Sequence, residues 1–189
     1  MGMREQKKRA TAARIRSVAG ELFLESGFEA TSIEAIAEAA GVSRASLFNY
    51  YRGKPAILEA MAAELEPRLL QLLDHYLAKP LSSAQRIAQL FGYAGRVLSQ
   101  TAPLTRLMFV HAQQGADFVS LQGEFTRLMI IGQRQGDVRQ DLPAAELGNV
   151  VYLSFVAALL GWSVGDIDLE QQLEHRAQCL VQLIAGANP

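Results

Sequence analysis

Five polar side chains crowd one eight-residue window: Ser43, Arg44, Ser46, Asn49 and Tyr50. These residue types can read a DNA duplex. A guanidinium matches the paired acceptors on the major-groove edge of guanine, and a carboxamide matches the donor and acceptor of adenine. Hydroxyls bind phosphate oxygens and fix register. A second spacing with chemical meaning is Gly161-Trp162-Ser163-Val164-Gly165, followed by Asp166, Asp168 and His175. It has the form of a hydrolase nucleophile turn with acid and histidine in triad order. That chemistry needs a strand before the serine and a helix after it, within an α/β sheet. No alternating strand is found, and the 26 residues after Ser163 are too few to carry acid and histidine on separate strand ends. The serine is set aside, and the chain is read as a non-enzyme. His75, His111 and His175 share no metal-ligand spacing with carboxylates or with Cys179, so neither metal nor cofactor is expected. Gly53-Lys54 lacks the upstream glycine of a phosphate-binding loop.

The elements that must position the first group are helical. Ile15, Val18, Ala19, Leu22 and Phe23 make one apolar stripe at i, i+3, i+4, i+7 and i+8, and Gly27 is placed to end that helix. Thr31-Ser32-Ile33-Glu34 is a capping-box pattern opening a second helix with Ile33, Ile36, Ala37 and Ala40 inward. Gly41 ends it, and Ser43 caps a third short helix that runs through Leu47 to about residue 50. Ala37 is small where the two helices must cross, while Ile36, Val42 and Leu47 wedge them apart. Two short helices about a glycine turn are the sequence form of a helix-turn-helix. A plain helical hairpin inside a bundle would explain the period. It would not explain why a short helix gathers Arg, Asn, Tyr and hydroxyls beside a basic arm.

Downstream, Pro55 opens a fourth helix that Pro67 should kink. Further apolar periods run through Ile87 to Leu98, Leu104 to His111, Phe118 to Met129, an eighth helix starting at Pro143, and Leu169 to Ile184. The fold expected is all-α with about nine helices. A three-helix helix-turn-helix domain over residues 1–54 precedes a helical bundle over residues 55–189.

Composition agrees. Half of the 189 residues are apolar and a fifth are charged, which suits a folded globular chain. The single cysteine excludes an internal disulfide and fits a reducing compartment. The longest apolar stretch, residues 150–162, is short for a bilayer and reads as a buried helix. A cytoplasmic protein with no membrane partner is expected. The net charge of −1 conceals an asymmetry, because Arg4, Lys7, Lys8, Arg9, Arg14 and Arg16 face Glu5 alone at the start of the chain. A basic head on an acidic body suggests that the head meets a polyanion.

Residues 14–58, RIRSVAGELFLESGFEATSIEAIAEAAGVSRASLFNYYRGKPAIL, resemble the DNA-binding domain of the tetracycline-repressor (TetR) family of bacterial regulators. The marks are the A-x-x-L-F-x-x-x-G-F run ending at Gly27-Phe28, then Thr31-Ser32-Ile33, Ile36-Ala37, Ala40-Gly41-Val42-Ser43 and Tyr50-Tyr51-x-x-Lys54. The resemblance covers about a quarter of the chain. It implies a dimeric repressor that a small effector releases from a palindromic operator. It makes Ser43, Arg44, Ala45, Ser46, Asn49 and Tyr50 the recognition-helix contacts, and gives phosphate contacts to Thr31, Ser32 and Lys54. The chain departs from the family at Phe48, where tyrosine is usual. Phe48 has no hydroxyl for a phosphate, and Asn49 or Tyr50 would supply the bond instead.

Reading a palindrome requires two copies about a two-fold axis. The last two helices would pair them through Ser154, Ala158, Gly161, Leu173 and Leu180. An effector, mainly apolar, would lie among Phe91, Met108, His111, Phe125, Met129 and Phe155. The alternative reading is an all-α ligand-binding protein or enzyme with no specific DNA target.

Overall fold

The computed structural model describes residues 2–100, 102–112 and 119–186. Its helices are α1 (Met3–Ser26), α2 (Ile33–Ala39), α3 (Arg44–Phe48), α4 (Lys54–Ala62), α5 (Leu65–Leu77), α6 (Ser83–Gln100), α7 (Ala102–Ala112), α8 (Val119–Gln135), α9 (Ala144–Val164) and α10 (Leu169–Ile184). No strand occurs among the described residues, which hold only an isolated bridge between Val138 and Ala185. The fold is all-α, with an N-terminal helix-turn-helix followed by a helical bundle.

The expected fourth helix is two helices rather than one kinked helix. In a continuous helix Pro67 could not donate to the carbonyl of Ala63, and its ring would press against that carbonyl. The chain closes α4 at Ala62 and restarts at Leu65, which leaves Pro67 in the first turn of α5 where no N–H is required. Gly161 lies inside α9, and Gly165 follows its last residue. The basic head is not a loose arm. It is helical from Met3, and residues 2–10 are all exposed, so the first turns of α1 project from the body.

Two apolar clusters organise these helices. One joins Ile15, Ala19 and Phe23 of α1 to Ile36, Leu47, Ile57 and Leu58, with Leu104 and Met108 of α7 completing it. The other is built by α5, α6, α8, α9 and α10 around Phe91, Phe125, Phe155, Trp162 and Leu173. Leu65, at the start of α5, packs against both clusters. In the larger cluster two pairs of helices run close. A Cβ added at Gly148 of α9 would come within 2.6 Å of the backbone of Thr126 on α8. One added at Gly95 of α6 would come within 2.9 Å of Cα of Glu170 on α10. Arg86 is buried and donates to the carbonyls of Tyr76 and Lys79 and to Oε1 of Gln135, which ties α5 and α8 to α6.

Among the described residues, α9 is the one helix long and apolar enough to cross a membrane, by length and composition alone. One of its faces, through Leu147, Val151, Phe155, Leu159 and Trp162, is buried in the larger cluster.

Candidate nucleic-acid interface

The α2–α3 unit is fixed from inside and capped at both helix starts. Ser32 accepts from the amide of Ala35 at 3.0 Å, and Ser43 accepts from the amide of Ser46 at 3.1 Å. Between them the turn needs a left-handed residue, and Gly41 takes φ +62° at no steric cost. The amide of Val42 then donates back to the carbonyl of Ala37 at 2.9 Å, so the turn is closed by backbone alone. Leu47 is fully buried and anchors α3 to α1 and α2 through the smaller cluster.

With Leu47 inward, the opposite face of α3 is open. Ser43, Arg44, Ala45, Phe48 and Asn49 are exposed, whereas Ser46 and Tyr50 are half-buried. Ser46 is turned to Ser43, with the two hydroxyls 3.0 Å apart. Asn49 and Tyr50 lie just past the helix, which is shorter than the sequence reading, and Tyr50 packs partly against the smaller cluster. The guanidinium of Arg44 lies over the ring of Phe48, 5.6 Å from its centroid, and its Nε meets Oε1 of Glu34 on α2 at 3.0 Å.

Two residues expected at phosphates are engaged elsewhere. Thr31 is buried, and its hydroxyl donates to the carbonyls of Gly27 at 2.8 Å and Leu22 at 3.2 Å. Its side chain closes the end of α1 and, being buried, leaves almost no surface for the phosphate contact expected of it. Lys54 points its ammonium at the carbonyls of Phe28, at 2.6 Å, and Glu29, at 3.1 Å, over the ring of Phe28. It fastens the α1–α2 loop to the start of α4, with at most one donor left for a phosphate.

A network that the sequence did not announce joins this unit to the rest. Arg16 of α1 donates to Tyr51 Oη at 2.7 Å and also to Glu64, which lies at the α4–α5 break. Tyr51 Oη donates to the carbonyl of Ala12, and Glu64 also meets Arg68. Burial works against the charge of Arg16, yet its hydrogen bond to Tyr51 and its pairing with the Glu64 carboxylate raise its pKa above the ordinary arginine value.

Comparison with known proteins bears on this geometry. Residues 15–61 match the family described as bacterial regulatory proteins, tetR family. FadR of Thermus thermophilus, a TetR-family transcriptional repressor solved with lauroyl-CoA, is 28% identical, with a TM-score of 0.67 over 90% of this chain and 93% of that one. Residues 15–61 are therefore a TetR-family N-terminal segment. FadR of Bacillus subtilis, solved with stearoyl-CoA, has the same fold at 16% identity, with a TM-score of 0.66 over 91% of this chain and 98% of that one. PfmR, also of Thermus thermophilus, has it at 19% identity, with a TM-score of 0.65 over 93% and 100% of the two chains. No curated protein sequence gives a significant match.

The remaining site residues expected from the sequence fall in the bundle. Phe91, Phe125 and Phe155 meet ring to ring, with centroids 5.1 to 6.4 Å apart, and Met129 is buried in the same cluster. Met108 does not join them, because α7 turns it into the smaller cluster. The side chain of His111 lies outside the described residues. A residue the sequence reading passed over is Arg106, whose guanidinium lies 5.1 Å from the Trp162 ring and whose buried Nε has no hydrogen-bond partner among the described residues.

Three of the five residues expected between subunits need correction. Ala158, Leu173 and Leu180 are buried inside the subunit, where they have no side-chain surface to offer a partner. Ser154 and Gly161 are half-buried, and Arg176 of α10 reaches the hydroxyl of Ser154 at 3.4 Å. The open apolar positions of α9 are Val150, Leu153, Ala157, Leu160 and Val164, on the opposite face. Ser163 spends its hydroxyl on the carbonyl of Leu160 at 2.8 Å within α9, and Asp168 caps α10, so no nucleophile turn forms there.

Proposed function

We propose that this protein is a cytoplasmic, homodimeric repressor that binds a palindromic operator and leaves it when a small, mainly apolar effector binds. Residues 1–54 would be the DNA-binding domain and residues 55–189 the effector-binding and dimerisation domain. The observation that carries the reading is the open face of α3. Arg44, Ala45 and Phe48 stand exposed on, and Asn49 just past, a helix locked from behind by Leu47 and from below by its serine cap. A rigid rod of this size enters a major groove, and its exposed arginine and asparagine carry base-specific donors. The projecting start of α1, with Arg4, Lys7, Lys8 and Arg9, supplies charge for the backbone.

An effector of the acyl-CoA class is supported by the ligands of the Thermus thermophilus and Bacillus subtilis relatives. An acyl tail would part the Phe91–Phe125–Phe155 cluster, and Arg106 offers an unused donor for a negative headgroup. The test is selection of duplexes from a random pool by the full chain, followed by titration with lauroyl-CoA and with free CoA. Recovery of a two-fold-symmetric sequence at physiological salt, released by lauroyl-CoA and not by CoA, is the expected result. No sequence-selective retention would overturn the reading. Release by neither compound would overturn the acyl-CoA assignment alone.

A further inference from the structure

Phe48 is unexplained by the fold. It is 41% exposed at the end of α3, while the buried Leu47 beside it already anchors the helix. Its ring stands on the open face of α3, beside Arg44 and Asn49, where a duplex would meet it. In the major groove the apolar group on a base edge is the 5-methyl of thymine. The ring also has a neighbour. Arg44, one turn earlier, holds its guanidinium over Phe48 and keeps the flat group's edge available for pairing. That edge is met in the free protein by the carboxylate of Glu34, 3.0 Å from Nε. The O6 and N7 atoms of guanine offer the same kind of paired acceptors.

We propose that Arg44 and Phe48 act as one reading head for a 5-methylpyrimidine followed by guanine. Phe48 contacts the methyl, and Arg44, stacked on Phe48, exchanges Glu34 for the guanine edge. Neighbouring bases of one strand lie about 3.4 Å apart along the duplex, so residues one helical turn apart can face a single step. Thymine and 5-methylcytosine carry the same methyl, so a methylated CG step is read as a TG step and an unmethylated one is not. The inference rests on α3 lying in the major groove, as proposed above.

Duplexes recovered by the full-length protein are resynthesised with each thymine in turn replaced by deoxyuridine, which removes the methyl and nothing else. Binding is followed by fluorescence anisotropy. One thymine in each half-site, with guanine on its 3′ side, is expected to lose about fourfold in affinity on this replacement, the value of burying one methyl. Replacing it by 5-methylcytosine, paired with guanine, is expected to preserve affinity, and plain cytosine to lose it. Phe48→Ala and Phe48→Leu, at an exposed position, are expected to keep the wild-type melting temperature. Phe48→Ala is expected to bind thymine and deoxyuridine duplexes equally. Indifference of the wild type to every deoxyuridine, or a methyl dependence that survives Phe48→Ala, would overturn the inference and leave DNA binding standing. Failure to retain any duplex would overturn the proposed function and the inference with it.

Discussion

Thr31 and Arg44 stand 13 positions apart in a motif rich in hydroxyls and charge, and the structure gives them opposite roles. Thr31 spends its hydroxyl on two backbone carbonyls behind α2, so Thr31→Val should cost roughly 1–2 kcal/mol of stability in urea unfolding. The salt dependence of DNA binding should not change, because no phosphate contact is lost. Lys7→Gln with Lys8→Gln should leave stability alone and lower the salt slope by about 0.9 for each phosphate given up. Arg44 is exposed and held only by Phe48 and Glu34. Arg44→Ala should therefore weaken binding to the selected duplex by about 1–3 kcal/mol and relax preference at one base, with an unchanged melting temperature. An unchanged footprint would count against α3 as the reader. Which hydroxyls face outward was not legible in the sequence, because Thr31, Ser32 and Ser43 satisfy the same capping patterns whether or not a phosphate is near. Their residue types gave the motif. Only burial separates Thr31 from the rest.

At the scale of elements, the helix-turn-helix was legible because each local signal agrees: two serine caps, a left-handed glycine and a buried Leu47. The break between α4 and α5 was less so. Pro67 announced a disturbance, but the position of the break depends on which carbonyl the proline ring must avoid, and that lies four residues upstream. The break places Glu64 between Arg16 of α1 and Arg68 of α5, so the two clusters are tied at this carboxylate. Arg16 keeps its charge throughout the working pH range, its pKa being raised despite partial burial. Glu64→Gln should leave the Tyr51 bond to Arg16 in place while removing the charge that links α1 to α5. The expected outcome is near-normal operator affinity with a smaller loss of affinity on effector binding, a change of about 1 kcal/mol in coupling. Anisotropy titrations with and without effector measure it. Equal coupling in the two proteins would place the link elsewhere.

For the whole molecule, the deciding element is α9, which is apolar on nearly every side. One face carries Phe155 and Trp162 into the core, and the other exposes Val150, Leu153, Ala157, Leu160 and Val164 at alternating spacings of three and four. Helical periodicity separates inner from outer only when the outer face is polar. The sequence therefore left open which face of this helix is buried, and three of the residues first expected between subunits, Ala158, Leu173 and Leu180, sit in the core. A helix that stays apolar where it meets solvent fits a second copy of itself, since a stable two-fold interface needs about 800 Å² from each partner. Leu153, 53% exposed, lies within the open stripe, and Leu160 lies two turns further on. Leu153→Glu with Leu160→Glu should give a folded monomer by light scattering, because neither side chain supports the subunit's own core. Its affinity for the full palindrome should fall to that for one half-site. Leu173→Ala should behave differently. Its side chain is fully buried, so it should cost about 2–5 kcal/mol of stability whichever way the chains associate. A Leu153→Glu, Leu160→Glu protein that remained dimeric would move the interface off α9. One that unfolded would mean that this face is covered within a single chain.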